Sequence, residues 1–242
     1  MRLQVSMILL ASLIWIELLP TAPNQNKDEN HAPSVSVSLV APSGKVNWNQ
    51  EVQYSIHVSD KEDGDSKYDE IANQAVILSV LYLEDTTQAK IYLKSPTEVP
   101  SALKLMMKST CFNCHTSQSK LIGPTFHEIA ARYSNNEVTI SSLSTKVIQG
   151  ASSSWGEAKM PSNPEVKVED AKEMVRWILT GNSNPNRFYL SGLNGTFRIK
   201  EKNIKNPHGV YLLTASYTDR GLPGKPNLSK QGQHVILVKP GI

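Results

Sequence analysis

Both cysteines of this 242-residue chain lie in one pentapeptide, Cys111-Phe112-Asn113-Cys114-His115. Two thiols at that spacing can close a disulfide, cycle as a redox pair, ligate a metal or carry a covalently attached haem. A redox C-x-x-C opens a helix beside a βαβ unit, and no such alternation surrounds residue 111. A zinc site needs a second pair of Cys or His at ligand spacing, which the sequence does not offer. The last use accounts for all three residues. Two thiols on one helical turn reach the two vinyl groups of a porphyrin, and the His directly after the second Cys is directed at the iron. The expected cofactor is therefore one covalent haem c on Cys111 and Cys114, with His115 as an iron ligand.

An electron-carrying haem iron commonly takes Met or His as its sixth ligand. Of the six methionines, Met1 and Met7 fall in an N-terminal apolar run. Met106 and Met107 precede the cysteines on one helical pattern, and Met174 lies on the inner stripe of another. Met160 sits in an irregular stretch, Trp155-Gly156-Glu157-Ala158-Lys159-Met160-Pro161. A lone Met is ordinarily core filler, but a loop Met followed by Pro is awkward filler and a well-placed ligand. His127, twelve residues after His115, is the rival. His31 belongs to a polar leader, His57 to the polar face of a strand pattern, and His208 and His234 to a C-terminal β region.

Together these residues resemble a known family, the small monohaem class I c-type cytochromes, over about residues 101–182. The resemblance is carried by CFNCH, by Ile122-Gly123-Pro124, by the W-G-x-x-x-M-P loop and by a last helix with Trp177 near its end. It implies His115 and Met160 as the two metal ligands and a Pro124 carbonyl that accepts a hydrogen bond from the second His115 nitrogen. It also implies Trp155 beside the haem edge, near a propionate, and Trp177 where the first and last helices cross. One position departs from the family pattern: Ala102 stands where a Gly often lets those helices approach. The resemblance implies an electron carrier with no catalytic residues of its own, and a redox partner protein. A secreted sugar-oxidising dehydrogenase of the quinoprotein kind is the leading donor. No triad, phosphate loop or open metal site argues for an enzyme.

The elements that must hold this site change character along the chain. Residues 1–22 read as an export signal or an uncleaved anchor, since Val5–Leu19 is nearly all apolar and too short for a comfortable span. The expected location is periplasmic or extracellular, with a membrane contact only if that segment is retained. Residues 23–33 read as a leader. Alternation then marks strands at Val35–Leu39 and Val52–Val58, an apolar run at Ala75–Leu83, and a fourth strand at Ile91–Leu93. Helical spacing takes over from Ser101, with helices expected at residues 140–149, before Gly150, and at residues 169–179, before Gly181. Strand patterns return at Thr196–Lys200, Val210–Thr218 and His234–Lys239.

The β stretches look like parts of a polycystic-kidney-disease (PKD) type immunoglobulin-like sandwich. The first carries its Asp-rich turn, and Gly209–Asp219 resembles its closing strand. The fold class expected is α+β and multidomain. An all-α cytochrome c domain (100–182) is inserted between, or flanked by, two parts of a β-sandwich (34–95 and 187–240). Charge favours docking of the two parts: residues 25–99 hold six Lys or Arg against twelve Asp or Glu, net −6, and residues 183–242 hold nine against two, net +7. The overall charge of +3 argues against a dedicated nucleic-acid binder. The acidic cluster Asp60, Glu62, Asp63, Asp65, Asp69 and Glu70 lacks EF-hand spacing and reads as a solvated hairpin tip, with calcium as the alternative. Two further functions stay open: a substrate-binding or adhesive β module with accessory haem, and a haem redox or gas sensor.

Overall fold

Alternating apolar residues build the first sheet. The computed structural model describes residues 29–40, 45–94, 98–109, 111–152, 155–181, 184–203 and 208–241; the expected export signal lies outside them. In β1 (Ser34–Val40) and β2 (Glu51–Asp60), Val35, Val37, Val52, Tyr54, Ile56 and Val58 are buried, and the residues between them are more open. β2 pairs antiparallel with β1, with the two-residue β3 (Gly64–Asp65) and with β6 (Asn194–Arg198). A period of two places every second side chain on one face, and here that face is the core face.

The second sheet runs β5 (Arg187–Ser191), β4 (Val76–Leu83), β7 (Val210–Thr218), β8 (Gln231–Val238), all antiparallel. β4 is buried on both faces. Val76, Leu78, Val80 and Tyr82 join the core shared with the first sheet, together with Tyr211, Leu213, Ala215 and Tyr217 of β7. Ile77 enters the core of the helical segment, and Leu81 and Leu83 pack under Ala89. In both sheets, strands that precede the helical segment hydrogen-bond to strands that follow it.

The expected strand at Ile91–Leu93 is instead part of a helix, α1 (Thr86–Lys94). Asp85 Oδ1 accepts from the Thr87 N–H at 2.8 Å and sets the helix start. The side chains that pack are Ala89 and Tyr92, three apart, whereas Ile91 and Leu93 point outward at 66% and 46% exposure. A second difference concerns β5, which no alternating pattern announces. Phe188 faces the shared β core and Tyr189 the helical core, so consecutive residues are both apolar.

Between β4 and β5 the chain forms α2 (Ser101–Lys108), a 3-10 turn (Cys111–Asn113), α3 (Phe126–Arg132), α4 (Glu137–Gln149) and α5 (Val168–Gly181). The starts of α3 and α4 have clear causes. Thr125 and Glu128 form a capping box on α3, and Asn136 accepts from the Thr139 N–H at α4. Ala102, Leu103 and Met106 of α2 meet Ala171, Met174 and Ile178 of α5 in one core. The small side chain of Ala102, 2% exposed, suits that close approach. Because β4 and β5 are adjacent, the chain re-enters the sheet beside the strand it left, with Leu81 opposite Arg187.

Candidate functional site

The Cys111–His115 segment winds tightly, with the Cys114 and His115 N–H groups both on the Cys111 carbonyl at 3.2 and 3.0 Å. The Cys114 carbonyl then accepts from Ile122 and Gly123, at 3.3 and 2.8 Å, which closes the loop over the imidazole. His115 Nδ1 lies 2.7 Å from the Pro124 carbonyl. That bond fixes the tautomer and leaves Nε2 as the ligand-competent nitrogen. Phe126 stacks on the ring at 5.9 Å and 17°. Gly123 makes the closure feasible, because a Cβ there would stand 2.5 Å from His115 Cε1.

Met160 is held from the other side. Its N–H and C=O exchange hydrogen bonds with Ala151 at 2.8 and 3.0 Å, just past the end of α4. Gly150, at φ +82°, ends that helix and also admits the Met160 carbonyl, 2.7 Å from where a Cβ would be. Asn163 ties down the rest of the loop. Its side chain donates to the Val147 carbonyl and its N–H to the Ile148 carbonyl, each at 2.9 Å, satisfying two acceptors that the helix end leaves open.

Both sets of residues line one apolar cleft, with about 1110 Å³ of empty space counted out to its mouth and into open solvent. Cys111, Cys114, His115, Pro124, Trp155 and Met160 all border it. His127 does not; its backbone N–H bonds the Ser117 carbonyl and its Nε2 is buried without a partner among the described residues. At the mouth, Arg132 stacks over Trp155 at 4.4 Å, and Lys146 and Lys159 border the same opening. Both thiols are free. Burial pushes the Cys111 thiol up to about 11, which disfavours the thiolate that metal ligation or disulfide exchange would use.

The family model for cytochrome c matches residues 102–182. Cytochrome c-551 of Allochromatium vinosum is 37% identical over 86 residues, which cover 34% of this chain and 92% of that protein. Cytochrome c-552 of Nitrosomonas europaea is 38% identical over 76 residues, 31% of this chain and 74% of that protein. Cytochrome c-551 of Azotobacter vinelandii is 40% identical over 70 residues, 29% and 84% of the two chains. The chain belongs to the cytochrome c family. A solved relative, wild-type Nitrosomonas europaea cytochrome c552, matches at 38% identity over 31% of this chain and 94% of that one, with a TM-score of 0.30; the kinship rests on sequence.

The cofactor of this family is one covalent haem c, and the residues present fit it. Two free thiols and an imidazole with one nitrogen already engaged border a cleft that is otherwise apolar. Some roles had no signal in the sequence. Met106 and Met174 line the cleft as well as filling the core. Ser117, two residues past His115, is 1% exposed, and its hydroxyl bridges the N–H and C=O of Tyr189 on β5 at 3.1 and 3.0 Å. Trp177 packs edge-on against both Phe126 and Tyr189, at 6.4 and 5.6 Å, which links the helical core to the sheet.

Proposed function

We propose that the chain is an exported electron-transfer module in which His115 and Met160 are the axial ligands and a β-sandwich of the immunoglobulin or PKD kind is interrupted by the haem domain. When bound, haem c supplies a one-electron iron couple. The chain's own residues do the rest. Cys111 and Cys114 anchor the macrocycle, and the Pro124 carbonyl holds the His115 ring and raises its basicity. Ala151 and Asn163 hold the Met160 loop in place. Met106, Phe126 and Met174 keep water from the inner wall. A sixth position filled by Met leaves no open site for substrate, which favours a carrier over an enzyme or a gas sensor. Arg132, Lys146 and Lys159 around the mouth favour a donor with an acidic docking face, since opposite fields speed encounter. A quinoprotein sugar dehydrogenase is the donor class proposed, and the site of action is periplasmic or extracellular.

The observation that carries the ligand assignment is the convergence of His115 and Met160 on one cleft, with His127 outside its lining. The test is the oxidised spectrum of protein exported with haem-maturation machinery. Wild type should show the weak far-red band of Met–Fe(III) ligation. Met160→Ala should lose it and lower the potential, and His127→Ala should change neither. A band that survives Met160→Ala and vanishes in another variant overturns the assignment.

A further inference from the structure

A second polar centre, unrelated to the cleft, ties three distant segments of the β region together. Asn30 comes from the leader, Asp60 and Asp63 from the end of β2 and the turn after it, and Asp219 from the connection after β7. The Asn30 side-chain N–H donates to Asp219 Oδ2 and to the Leu228 carbonyl, each at 2.9 Å. His31 bonds Glu62 through its N–H and its ring, at 3.2 and 2.7 Å, and so lays residues 30 and 31 against the 60–63 turn. Asp63 takes the Tyr217 hydroxyl at 2.6 Å and the Arg220 N–H and Nε, each at 2.9 Å. Asp219 Oδ1 takes the N–H groups of Gly221 and Lys230, at 2.8 and 2.9 Å. Lys230 Nζ donates to the Asn30 carbonyl. The acidic cluster read from sequence as solvated is thus partly buried: Asp60 and Asp63 are each 7% exposed.

Two oxygens in this centre are left over. Asp60 Oδ1 accepts from the N–H groups of Glu62 and Asp63, but Oδ2 is buried with no partner among the described residues. Asn30 is 3% exposed, and its Oδ1 is likewise buried without a partner among them. Both orphans are acceptors. Whatever satisfies them must present hydrogen or positive charge, because a buried acceptor left bare forfeits its solvation with nothing in return, a carboxylate most of all. The three carboxylates Asp60, Asp63 and Asp219 outnumber the cations bonded within the centre, Arg220 and Lys230. Burial, foremost, and then the charges of Asp63 and Asp219 push the Asp60 carboxyl above its ordinary range, against the opposing hydrogen bonds of its own turn.

We propose that Asn30 Oδ1 and Asp60 Oδ2 are ligands of a bound calcium ion that clasps the leader, the β2–β3 turn and the β7–β8 connection. Among the described residues no three His, Cys, Asp or Glu side chains converge as a metal cluster, which disfavours zinc or iron. Calcium differs in taking amide, main-chain and water oxygens beside one or two carboxylates. Asp219 Oδ2, which accepts from the Asn30 side chain at 2.9 Å, is a further carboxylate oxygen beside that amide. An ion here neutralises the excess carboxylate and makes closure of the β region depend on external calcium.

The test uses full-length haem-loaded protein stripped with EDTA. Calorimetric titration with calcium chloride should show one site with Kd of about 0.1–1 mM, the range of extracellular modules, and magnesium should bind far more weakly. Calcium should raise the thermal midpoint read from tyrosine near-ultraviolet dichroism while the haem absorbance is unchanged. Asp60→Asn, which keeps the size and the turn hydrogen bonds, should weaken binding roughly tenfold or more. Asn30→Asp should destabilise the stripped protein and strengthen calcium binding. No calcium binding at about 10 mM, beyond the weakest such modules, overturns the proposal in favour of an internal water. Equal binding by wild type and Asp60→Asn, or no preference over magnesium, overturns it as well.

Discussion

Gly123→Ala asks how tightly the His115 ring is confined. Gly123 has no backbone need for glycine, so the effect is purely one of space. The added Cβ would stand 2.5 Å from Cε1, 2.8 Å from Nδ1 and 3.1 Å from Nε2 of His115. Ordinary contact begins nearer about 3.5 Å, so the ring must move by about 1 Å. Its freedom to do so is small, because Phe126 stacks on the imidazole and the Pro124 carbonyl holds Nδ1 at 2.7 Å. Displacement strains or breaks that hydrogen bond, about 1 kcal/mol net, and overpacks the wall by about 1–3 kcal/mol. A combined loss of about 2–4 kcal/mol lowers the melting temperature of a domain this size by roughly 10–30 °C. The assay is thermal unfolding of the haem-loaded protein, followed in the Soret band. Gly224→Ala is the control: Gly224 has φ +74° and open space around it, so the added methyl strains the backbone but touches no ring. A Gly123→Ala protein that melts within a few degrees of wild type, with an unchanged haem spectrum, would refute the confinement.

Three further outcomes are expected. Ser117→Ala leaves the buried N–H and C=O of Tyr189 without their bridge, a cost of about 1–3 kcal/mol; it should show as faster amide exchange at Tyr189, and unchanged exchange would count against the contact. Asp63 should make the β region acid-sensitive: burial pushes its carboxyl up, but the Tyr217 hydroxyl and the Arg220 N–H and guanidinium outweigh that, and the net shift is downward. A carboxyl depressed in the folded state stabilises above its unfolded pKa, and that stability is lost as pH falls through the folded value; Tyr217→Phe should flatten the acid limb of a stability–pH curve, and an unaltered limb would reject the assignment. Removing residues 187–242 should expose Val52, Tyr54 and Ile56 and make the remaining β strands aggregate or become protease-sensitive, while the haem spectrum persists; a stable, monomeric truncated β region would contradict the shared core.

What the sequence made legible is what short local patterns encode. CFNCH and the Met160-Pro161 loop each lie within a few residues, and β2 announces itself by alternation. Features that depend on distant atoms were hidden. Gly150 reads as a helix stop, yet its second task is to admit the Met160 carbonyl. Asp63 reads as a solvated turn residue because its partners, Tyr217 and Arg220, lie more than 150 positions away. β5 escaped detection because a strand with a core on each face has no polar side to alternate with. At Ile91 and Leu93 two apolar residues imitated a strand, while the spacing that packs was that of Ala89 and Tyr92.

The two walls of the cleft are held by different parts of the chain. Met160 is fixed by Ala151 and Asn163, both anchored to the end of α4 and therefore internal to the helical segment. The His115 loop continues directly into Ser117, whose hydroxyl is bonded to the outer edge of β5, and Phe126 behind the imidazole rests on Trp177, which rests on Tyr189 of the same strand. Any loosening of the second sheet therefore reaches the His115 side before the Met160 side. The local Pro124 bond and the covalent anchors keep the imidazole in place, so the loosening registers first in amide exchange at residues 116–117 and only later in the haem spectrum. The β region thus does more than flank the haem domain: through the edge strand β5 it grips the His115 wall of the cleft.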